Sequence, residues 1–269
     1  MYNLEEIHKI SYDFLKEMND ICRKHDINLM LDGGTLLGAV RENDFIPWDD
    51  DVDLIIKRSD YDKYINIICE ELSDKYEFYP VGSYNGHFFD FISRFVYKEG
   101  TLRDATSNDE SYCNMQNKVS FDLFILENCP NSDLFASILI LKIKIIYGLA
   151  MGHRASLKWS NYSMLNKIII FVLAYIGKGV KLEKIYKMFN KCATRYNEVE
   201  TKRYFTPGSL LQYINLKYDK EWYDDISEYS IRDVSLKCPK NVDAVLSNIY
   251  GPNYMIPPSI ENRISKHLE

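Results

Sequence analysis

Residues 31–54 read LDGGTLLGAVRENDFIPWDDDVDL, and this stretch carries the most specific pattern in the chain. Two adjacent glycines, Gly33 and Gly34, permit a tight turn into a helix, whose first backbone N–H groups are unpaired and attract a phosphate. The acidic and apolar run that ends the stretch is typical of a strand. Asp51 and Asp53 lie on the same face of it, because side chains alternate along a strand. The stretch therefore predicts a phosphate site beside two carboxylates.

The acidic run also predicts a metal site. Mg²⁺ and Mn²⁺ are hard cations that prefer carboxylate and phosphate oxygens. Four aspartates within residues 49–53 would repel one another on an ordinary strand, and a cation would relieve that repulsion. A solvated acidic loop after Pro47 or a non-catalytic calcium site would also account for the run. The glycines do not form a P-loop, since GGTLLGAV lacks the Gly-Lys-Ser/Thr ending.

The chain before this stretch predicts a helix followed by a buried strand. Asn3 and Glu6 have the spacing of a capping box, and the apolar residues after them recur every three or four positions. This pattern predicts an amphipathic helix that ends near His25. Ile27 to Leu31 predicts a short buried strand that leads directly into the two glycines.

The chain after the stretch continues the alternation of helices and strands. SDYD at residues 59–62 resembles a capping box that opens a helix through about Tyr76. Aromatic and β-branched residues predict strands from Phe88 to Tyr97 and from Val119 to Leu126. The second of these carries Asp122 inside an apolar run, which makes Asp122 a third candidate acid. The order of elements indicates an α/β or α+β fold.

The middle of the chain is strongly basic. Between Leu134 and Arg195 there are eleven Lys or Arg and one acid, Glu183, so this segment carries +10 in a chain of net charge −6. It contains two apolar stretches, Leu134 to Met151 and Ile168 to Ile176. Neither makes a good transmembrane span, because the first has two lysines near its centre and the second is far shorter than about 20 residues. We expect helices that pack on the core or lie on a membrane surface.

This charge predicts an anionic partner for residues 134–195. The partner would be either an acidic membrane surface or a phosphate-rich polymer acceptor. Ordinary solvated helix faces would carry the same charge without any partner. On the membrane interpretation, the protein would be peripheral on the inner face of the membrane.

The remaining composition indicates a cytosolic protein without a disulfide framework. The beginning of the chain, MYNLEEIHKI, has an acidic pair where a secretion signal is basic, and no apolar core follows it. The six cysteines show no CxxC pair and no metal-ligand spacing, so we expect them to be reduced. We expect no nucleic-acid partner.

The stretch GGTLLGAVR followed by IPWDDDVD resembles the signature of the LicD family. This family includes bacterial phosphocholine transferases and, more distantly, the fukutin-related sugar-alcohol phosphate transferases. Two weaker matches are Asp122 in FDLFIL, where the family places a further acid on a strand, and YGPNYMIPP at residues 250–258, which looks like its closing motif. About a third of the chain carries the resemblance.

The LicD family is similar to the nucleotidyltransferase superfamily, so the resemblance implies an α+β fold with a nucleotidyltransferase-like mixed sheet flanked by helices. It also implies roles for the quoted residues. The catalytic and metal-binding residues would be Asp51, Asp53 and Asp122. The metal would be Mg²⁺ or Mn²⁺, and Asp122 would either complete its site or take the proton of the acceptor. The donor phosphate would be held by Gly33, Gly34 and Thr35.

Sixteen residues separate Gly34 from Asp51, which is more than in minimal nucleotidyltransferases and indicates an inserted active-site loop. Arg41 in this loop is a candidate phosphate clamp, although a surface position or a structural ion pair would suit it equally well. Trp48 would bind the donor by stacking on a base or by facing a quaternary ammonium. Alternatively, Trp48 is an aromatic that caps the core beside Pro47.

Together the patterns and the resemblance divide the chain into three regions. Residues 1–130 would form the nucleotidyltransferase-like catalytic core, residues 131–200 a basic, partly apolar helical insert, and residues 201–267 a C-terminal closing region. Prolines exclude regular helix or central strand from the motif at residues 250–258. Leu268-Glu269 looks like the remnant of a purification tag.

Three functions stay open at this point. The resemblance implies transfer of phosphocholine or another phospho-alcohol from a CDP-linked donor, above all CDP-choline, to a hydroxyl, with release of CMP. The acceptor would be a cell-surface glycan such as lipopolysaccharide or teichoic acid, or its lipid-linked precursor. A strict nucleotidyltransferase would instead move a nucleoside monophosphate from a triphosphate. The third is an inactive membrane- or glycan-binding scaffold, although a scaffold gains nothing from concentrated carboxylates.

Overall fold

A mixed seven-stranded sheet forms the centre of the computed structural model, which describes residues 2–156 and 163–265. The helices are α1 (Leu4–His25), α2 (Gly33–Arg41), α3 (Arg58–Leu72), α4 (Ser107–Ser111), α5 (Asp133–Ala150), α6 (Met164–Lys178), α7 (Leu182–Ala193) and α8 (Val242–Tyr250). The strands are β1 (Leu29–Leu31), β2 (Val52–Lys57), β3 (Tyr76–Tyr79), β4 (Ser83–Tyr84), β5 (His87–Phe88), β6 (Ser93–Tyr97), β7 (Ser120–Cys129), β8 (Arg203–Phe205), β9 (Tyr218–Asp219), β10 (Ile226–Ile231) and β11 (Val234–Pro239). Helices pack around a mixed sheet, so the predicted α+β class is confirmed.

The order of the sheet is β1-β2-β7-β6-β3, and β8 and β9 extend it beside β7. The neighbours β2 and β7 are parallel, while the other pairs are antiparallel. The ten-residue β7 is long enough to pair with β6 through its first residues and with β8 through its last. β7 therefore connects the first 130 residues to the C-terminal region.

Helix α1 packs one side of the sheet, as its sequence predicts. Asn3 caps it through a complete capping box with Glu6, and its apolar side is buried. Phe14 is fully buried and stacks on Phe121 of β7, with ring centroids 3.8 Å apart. A second core lies under α5 and α7, where Phe91 stacks on Phe189 at 3.9 Å. The predicted helices in the basic segment are confirmed.

Two predicted boundaries are wrong. The helix over residues 59–76 begins at Arg58 after Lys57, without a side-chain cap, and it ends at Leu72. Asp62 pairs with Arg58 at 3.2 Å instead of capping the helix. Tyr76 belongs to strand β3, because its buried ring packs in the main core and its backbone pairs with β6.

The predicted strand from Phe88 to Tyr97 is interrupted. Its first residue ends the hairpin strand β5, and β6 begins only at Ser93. Between them the Asp90 side chain accepts a hydrogen bond from Ile92 N at 3.0 Å. This local turn occupies backbone that a continuous strand would pair with a neighbour.

The C-terminal region returns to the main sheet and to α2. β8 pairs with β7, and the hairpin β10-β11 packs against β1 and α2. The stretch after α8, up to Pro258, is neither helix nor strand, as its prolines predict. All six cysteines are free thiols. The predicted tag remnant at residues 268–269 lies outside the described residues.

One helical stretch within the described ranges, Asp133–His153, is long and apolar enough to cross a membrane by length and composition. Half of its most apolar window is buried inside the protein. A buried core helix passes the same test, so this property alone does not indicate a membrane span.

Candidate functional site

Asp53 and Asp122 lie directly opposite each other on the parallel strands β2 and β7. Residues that are in register on neighbouring strands point to the same face of the sheet. The fold therefore brings together two of the three predicted catalytic acids, which are far apart in the sequence. Asp51 immediately precedes β2 and is partly exposed.

Asp53 is held at the N-terminus of α2. Gly34 N donates a hydrogen bond to Asp53 Oδ2 at 3.2 Å, and Asp53 N donates to Thr35 Oγ1 at 2.9 Å. Gly33 has a φ of +50°, and a Cβ on it would overlap the Asp53 carboxylate. The glycine turn thus meets the acidic strand directly, as the sequence predicts. In this structure, however, Gly34 and Thr35 bind Asp53, so their contact with a donor phosphate stays a prediction.

The site concentrates negative charge. Desolvation raises the pKa of Asp53 well above its usual range, and neighbouring carboxylates, Asp51 first and then Asp122, raise it further. Burial also raises the pKa of Asp32 to about 7. The buried Asp32 Oδ1 has no hydrogen-bond partner among the described residues. A cation would relieve this excess of carboxylates, so the chemistry of the site fits the predicted Mg²⁺ or Mn²⁺.

The side chains in this conformation do not form a complete set of metal ligands. Within residues 2–156 and 163–265, no three acidic, histidine or cysteine side chains are grouped so that they could hold a metal ion. Asp122 instead forms an ion pair with a basic side chain of the protein. The assignment of Asp51, Asp53 and Asp122 as metal ligands therefore stays a prediction.

The partner of Asp122 is Arg94, and the sequence did not predict this pairing. Arg94 Nε donates to Asp122 Oδ1 at 2.9 Å, and its Nη2 pairs with Asp90 Oδ2 at 2.8 Å. The Arg94 and Asp90 side chains are almost fully buried, whereas that of Asp122 is 24% exposed. Arg94 lies opposite Asp122 on β6, a pairing that cannot be found without knowing which strands are neighbours.

Arg41 and Trp48 lie close to each other. Arg41 ends α2, eight residues or about 12 Å along the axis from Gly33. Its side chain pairs with Glu42 at 2.7 Å, and its buried Nη2 has no hydrogen-bond partner among the described residues. Its guanidinium lies 5.9 Å from the centroid of the Trp48 ring, and that of Arg263 lies 4.9 Å from it. The predicted contacts of Arg41 and Trp48 with a donor stay predictions.

The C-terminal region contributes to the same neighbourhood. Tyr254 O accepts a hydrogen bond from Arg41 Nη1 at 3.4 Å, and Ser265 Oγ donates to Trp48 O at 3.0 Å. At the end of α8, desolvation and then the charges of Asp53 and Asp32 raise the pKa of the Tyr250 hydroxyl, while the residue as a whole is 41% exposed. These contacts were missed because they join residues about 200 positions apart.

A cavity of about 350 Å³ lies elsewhere, between β7 and helices α3 and α7. Tyr61, Phe91, Glu127 and Tyr186 are among its lining residues, and none of the predicted site residues lines it. Glu127 is buried and is bound by Arg58 and Asn197. The aspartates, not this cavity, define the candidate site.

Comparison with known proteins agrees with the geometry. Residues 26–124 match the family model described as "LicD/FKTN/FKRP, nucleotidyltransferase domain". This range contains the glycine turn, Asp53, Arg94 and Asp122. It therefore covers the structural unit in which the candidate acids come together.

Curated relatives match parts of the chain. The chain is 26% identical over 151 residues to the "Lipopolysaccharide cholinephosphotransferase LicD" of Haemophilus influenzae, covering 56% of this chain and 51% of that protein. An uncharacterized protein of Rickettsia typhi is 38% identical over 60 residues, or 22% of this chain and 19% of its own length. The chain thus spans about half the length of the Haemophilus protein and about a fifth of the Rickettsia protein. The match to the family model confirms the resemblance seen in the sequence: residues 26–124 are similar to the nucleotidyltransferase domain that the LicD, FKTN and FKRP proteins share.

Proposed function

We propose that this chain transfers phosphocholine, or a similar phospho-alcohol, from a CDP-linked donor to a hydroxyl of a cell-surface glycan or its lipid-linked precursor. The observation that carries the proposal is the pairing of Asp53 with Asp122 beside the N-terminus of α2. The name of the Haemophilus relative supports the phosphocholine group and the lipopolysaccharide acceptor. The donor CDP-choline and the release of CMP come from the family resemblance.

In the proposed reaction the acceptor oxygen attacks the distal phosphorus of the CDP-alcohol. A bond forms between that oxygen and phosphorus, and the bond from phosphorus to the bridging oxygen of CMP breaks. CMP leaves with the electron pair, and the hydroxyl proton passes to Asp122 or, if Asp122 completes the metal site, to solvent. Arg94 orients the Asp122 carboxylate through Oδ1. The first N–H groups of α2 would bind donor phosphate once Gly34 is released from Asp53.

The proposed metal site consists of Asp51, Asp53 and Asp122. Mg²⁺ or Mn²⁺ bound there would neutralise phosphate charge during the transfer. Thermal denaturation tests the site without any substrate. We expect MnCl₂ to raise the melting temperature of the wild type but not that of Asp53→Asn. The control Asp74→Asn, at an exposed residue, should show the same rise as the wild type. An equal rise in all three proteins would contradict the metal assignment.

A donor screen tests the reaction. The protein is incubated with CDP-choline or another CDP-alcohol, Mg²⁺ or Mn²⁺, and a lipopolysaccharide acceptor, and CMP is measured together with the mass of the glycan. We expect CMP and a mass gain equal to the phospho-alcohol, both lost when the metal is chelated. Pyrophosphate release from CTP or ATP, without CMP from any CDP-alcohol, would instead support a strict nucleotidyltransferase.

A further inference from the structure

We propose that α5 and α6 form a docking surface for an anionic lipid bilayer. This inference does not rest on the proposed reaction, since vesicle binding requires neither donor nor acceptor. Its starting point is an unusual exposure of large apolar side chains on these two helices. We define the apolar face by six of them, each 49–76% exposed: Leu134, Leu141, Ile168, Phe171, Val172 and Tyr175.

The exposed residues follow helical periodicity, so each set occupies one side of its helix. On α5 the exposed positions Leu134, Ile138, Leu141 and Ile145 recur every three or four residues. On α6 the exposed positions Ile168, Val172 and Tyr175 do the same. Single exposed apolar residues are common on soluble proteins, whereas a continuous apolar patch indicates an interaction surface.

Helix α6 is attached to the protein through small residues. It packs against α5 and the turn Met151–His153. A Cβ on Gly177 would overlap Leu149 O, and a Cβ on Gly148 would lie 3.0 Å from Leu173 Cβ. The glycines allow close contact between the helices on this side of α6, while Ile168, Phe171 and Tyr175 on its other side remain exposed. The exposure of the apolar face therefore follows from how the two helices pack.

The positive charge of these helices favours a bilayer over a second copy of this chain as the partner of the apolar face. The exposed lysines Lys142 and Lys178 lie on the same two helices, and Lys181 follows α6. Two acids lie on or near these helices, and both are paired. Asp133 at the start of α5 pairs with Arg203 and Lys217, and Glu183 pairs with Lys187 at 2.6 Å. Self-association through this face would bring two segments of charge +10 together, whereas anionic lipid headgroups attract the lysines.

The helices would lie along the membrane surface rather than cross it. The other side of α5 is buried in the second core, through residues such as Leu139, Ile143 and Tyr147. Crossing would remove these side chains from the protein interior. Helices that lie at the membrane–water interface would bury the exposed apolar face in the bilayer, and their lysines would reach the lipid headgroups.

Vesicle flotation of the full chain tests the proposal. Vesicles of phosphatidylcholine alone are compared with equal parts of phosphatidylcholine and phosphatidylglycerol. We expect binding to the anionic vesicles to fall about tenfold in the double variant Phe171→Ser/Tyr175→Ser, because two large apolar side chains no longer enter the interface. The matched control Ile256→Ser/Ile260→Ser changes residues that are 70% and 78% exposed but lie outside the two helices, and it should bind like the wild type.

A charge variant tests the second part of the proposal. Lys142→Gln/Lys178→Gln should weaken binding to anionic vesicles about tenfold or more, and high salt should have a similar effect. Vesicle binding that is as strong in both double variants as in the wild type would overturn the proposal. A dimer in sedimentation equilibrium that Phe171→Ser/Tyr175→Ser dissociates, with no vesicle binding by the wild type, would overturn it in favour of a second copy.

Discussion

The guanidinium of Arg94 donates a hydrogen bond to the Asp122 carboxylate across 2.9 Å, and the two residues are in register on the neighbouring strands β6 and β7. The same guanidinium pairs with Asp90 at 2.8 Å. Arg94 thereby fixes one of the two candidate acids whose pairing defines the site. Its role in the proposed reaction is to position Asp122.

Removal of Arg94 should damage both stability and transfer. Arg94→Gln leaves the buried Asp90 without its cation, which typically costs about 3–5 kcal/mol of unfolding free energy. Arg94→Lys keeps the charge but cannot bind Asp90 and Asp122 together as the guanidinium does, so we expect an intermediate loss of stability and of activity. Urea denaturation measures the first effect, and CMP release separates kcat from KM.

The control for Arg94 is Arg232→Gln, which removes a partly exposed ion pair with Asp44. Surface pairs contribute about 0–1 kcal/mol, so this variant should remain close to wild-type stability. An Arg94→Gln protein that matches Arg232→Gln in stability and kcat would show that the Arg94–Asp122 contact does not matter.

Asp53→Asn should abolish transfer and raise the melting temperature of the metal-free protein at neutral pH. Desolvation and neighbouring carboxylates raise the pKa of Asp53 in the folded state. A raised folded-state pKa gives stability at low pH that is lost as the pH rises through that pKa. Asparagine carries no charge, so the desolvation and the repulsion from neighbouring carboxylates no longer destabilise the folded state. Calorimetry should show no such gain for Asp74→Asn, and a lower melting temperature for Asp53→Asn would contradict the electrostatic argument.

Gly33→Ala should inactivate the protein, and Gly86→Ala should not. Both glycines have positive φ, +50° and +80°, so alanine at either position costs about 1–2 kcal/mol of backbone strain. Only at Gly33 would the added Cβ overlap the Asp53 carboxylate, since nothing lies within 4 Å of a Cβ on Gly86. The comparison separates backbone strain from displacement of Asp53. Equal activity of the two variants would mean that close approach to Asp53 is unnecessary.

Asp109→Asn should destabilise the protein at pH 7 by about 2 kcal/mol and have less effect in acid. Asp109 is fully buried, and hydrogen bonds from Arg103, then from Thr106, hold its pKa well below the usual range. A lowered folded-state pKa gives stability that is present above the unfolded value near 4 and is lost as the pH falls through the lower value. Urea midpoints from pH 7 downward should converge for the two proteins. A constant difference over this range would contradict the assigned charge.

Local elements were predictable because their determinants are neighbours in the chain. The capping box of Asn3 and Glu6 acts over three residues, and the helix it starts is present as predicted. The end of α3 was misplaced because Tyr76 is drawn into β3 by pairing with Tyr97. That contact depends on the rest of the sheet and leaves no local signal.

The stretch from Leu31 to Leu54 specified the glycine turn and the acidic strand, because a tight turn and alternating side chains are local properties of the chain. The same stretch carried the resemblance to the LicD family. The partner of each acid depended on the folded sheet. Parallel pairing of β2 with β7 sets Asp53 beside Asp122, and antiparallel pairing of β6 with β7 sets Arg94 against Asp122. The packing of α6 on α5 likewise leaves Phe171 and Tyr175 exposed, although the composition of α6 equally suits a core helix. Strand order and helix packing arise from burial summed over the whole chain, so no single segment encodes them.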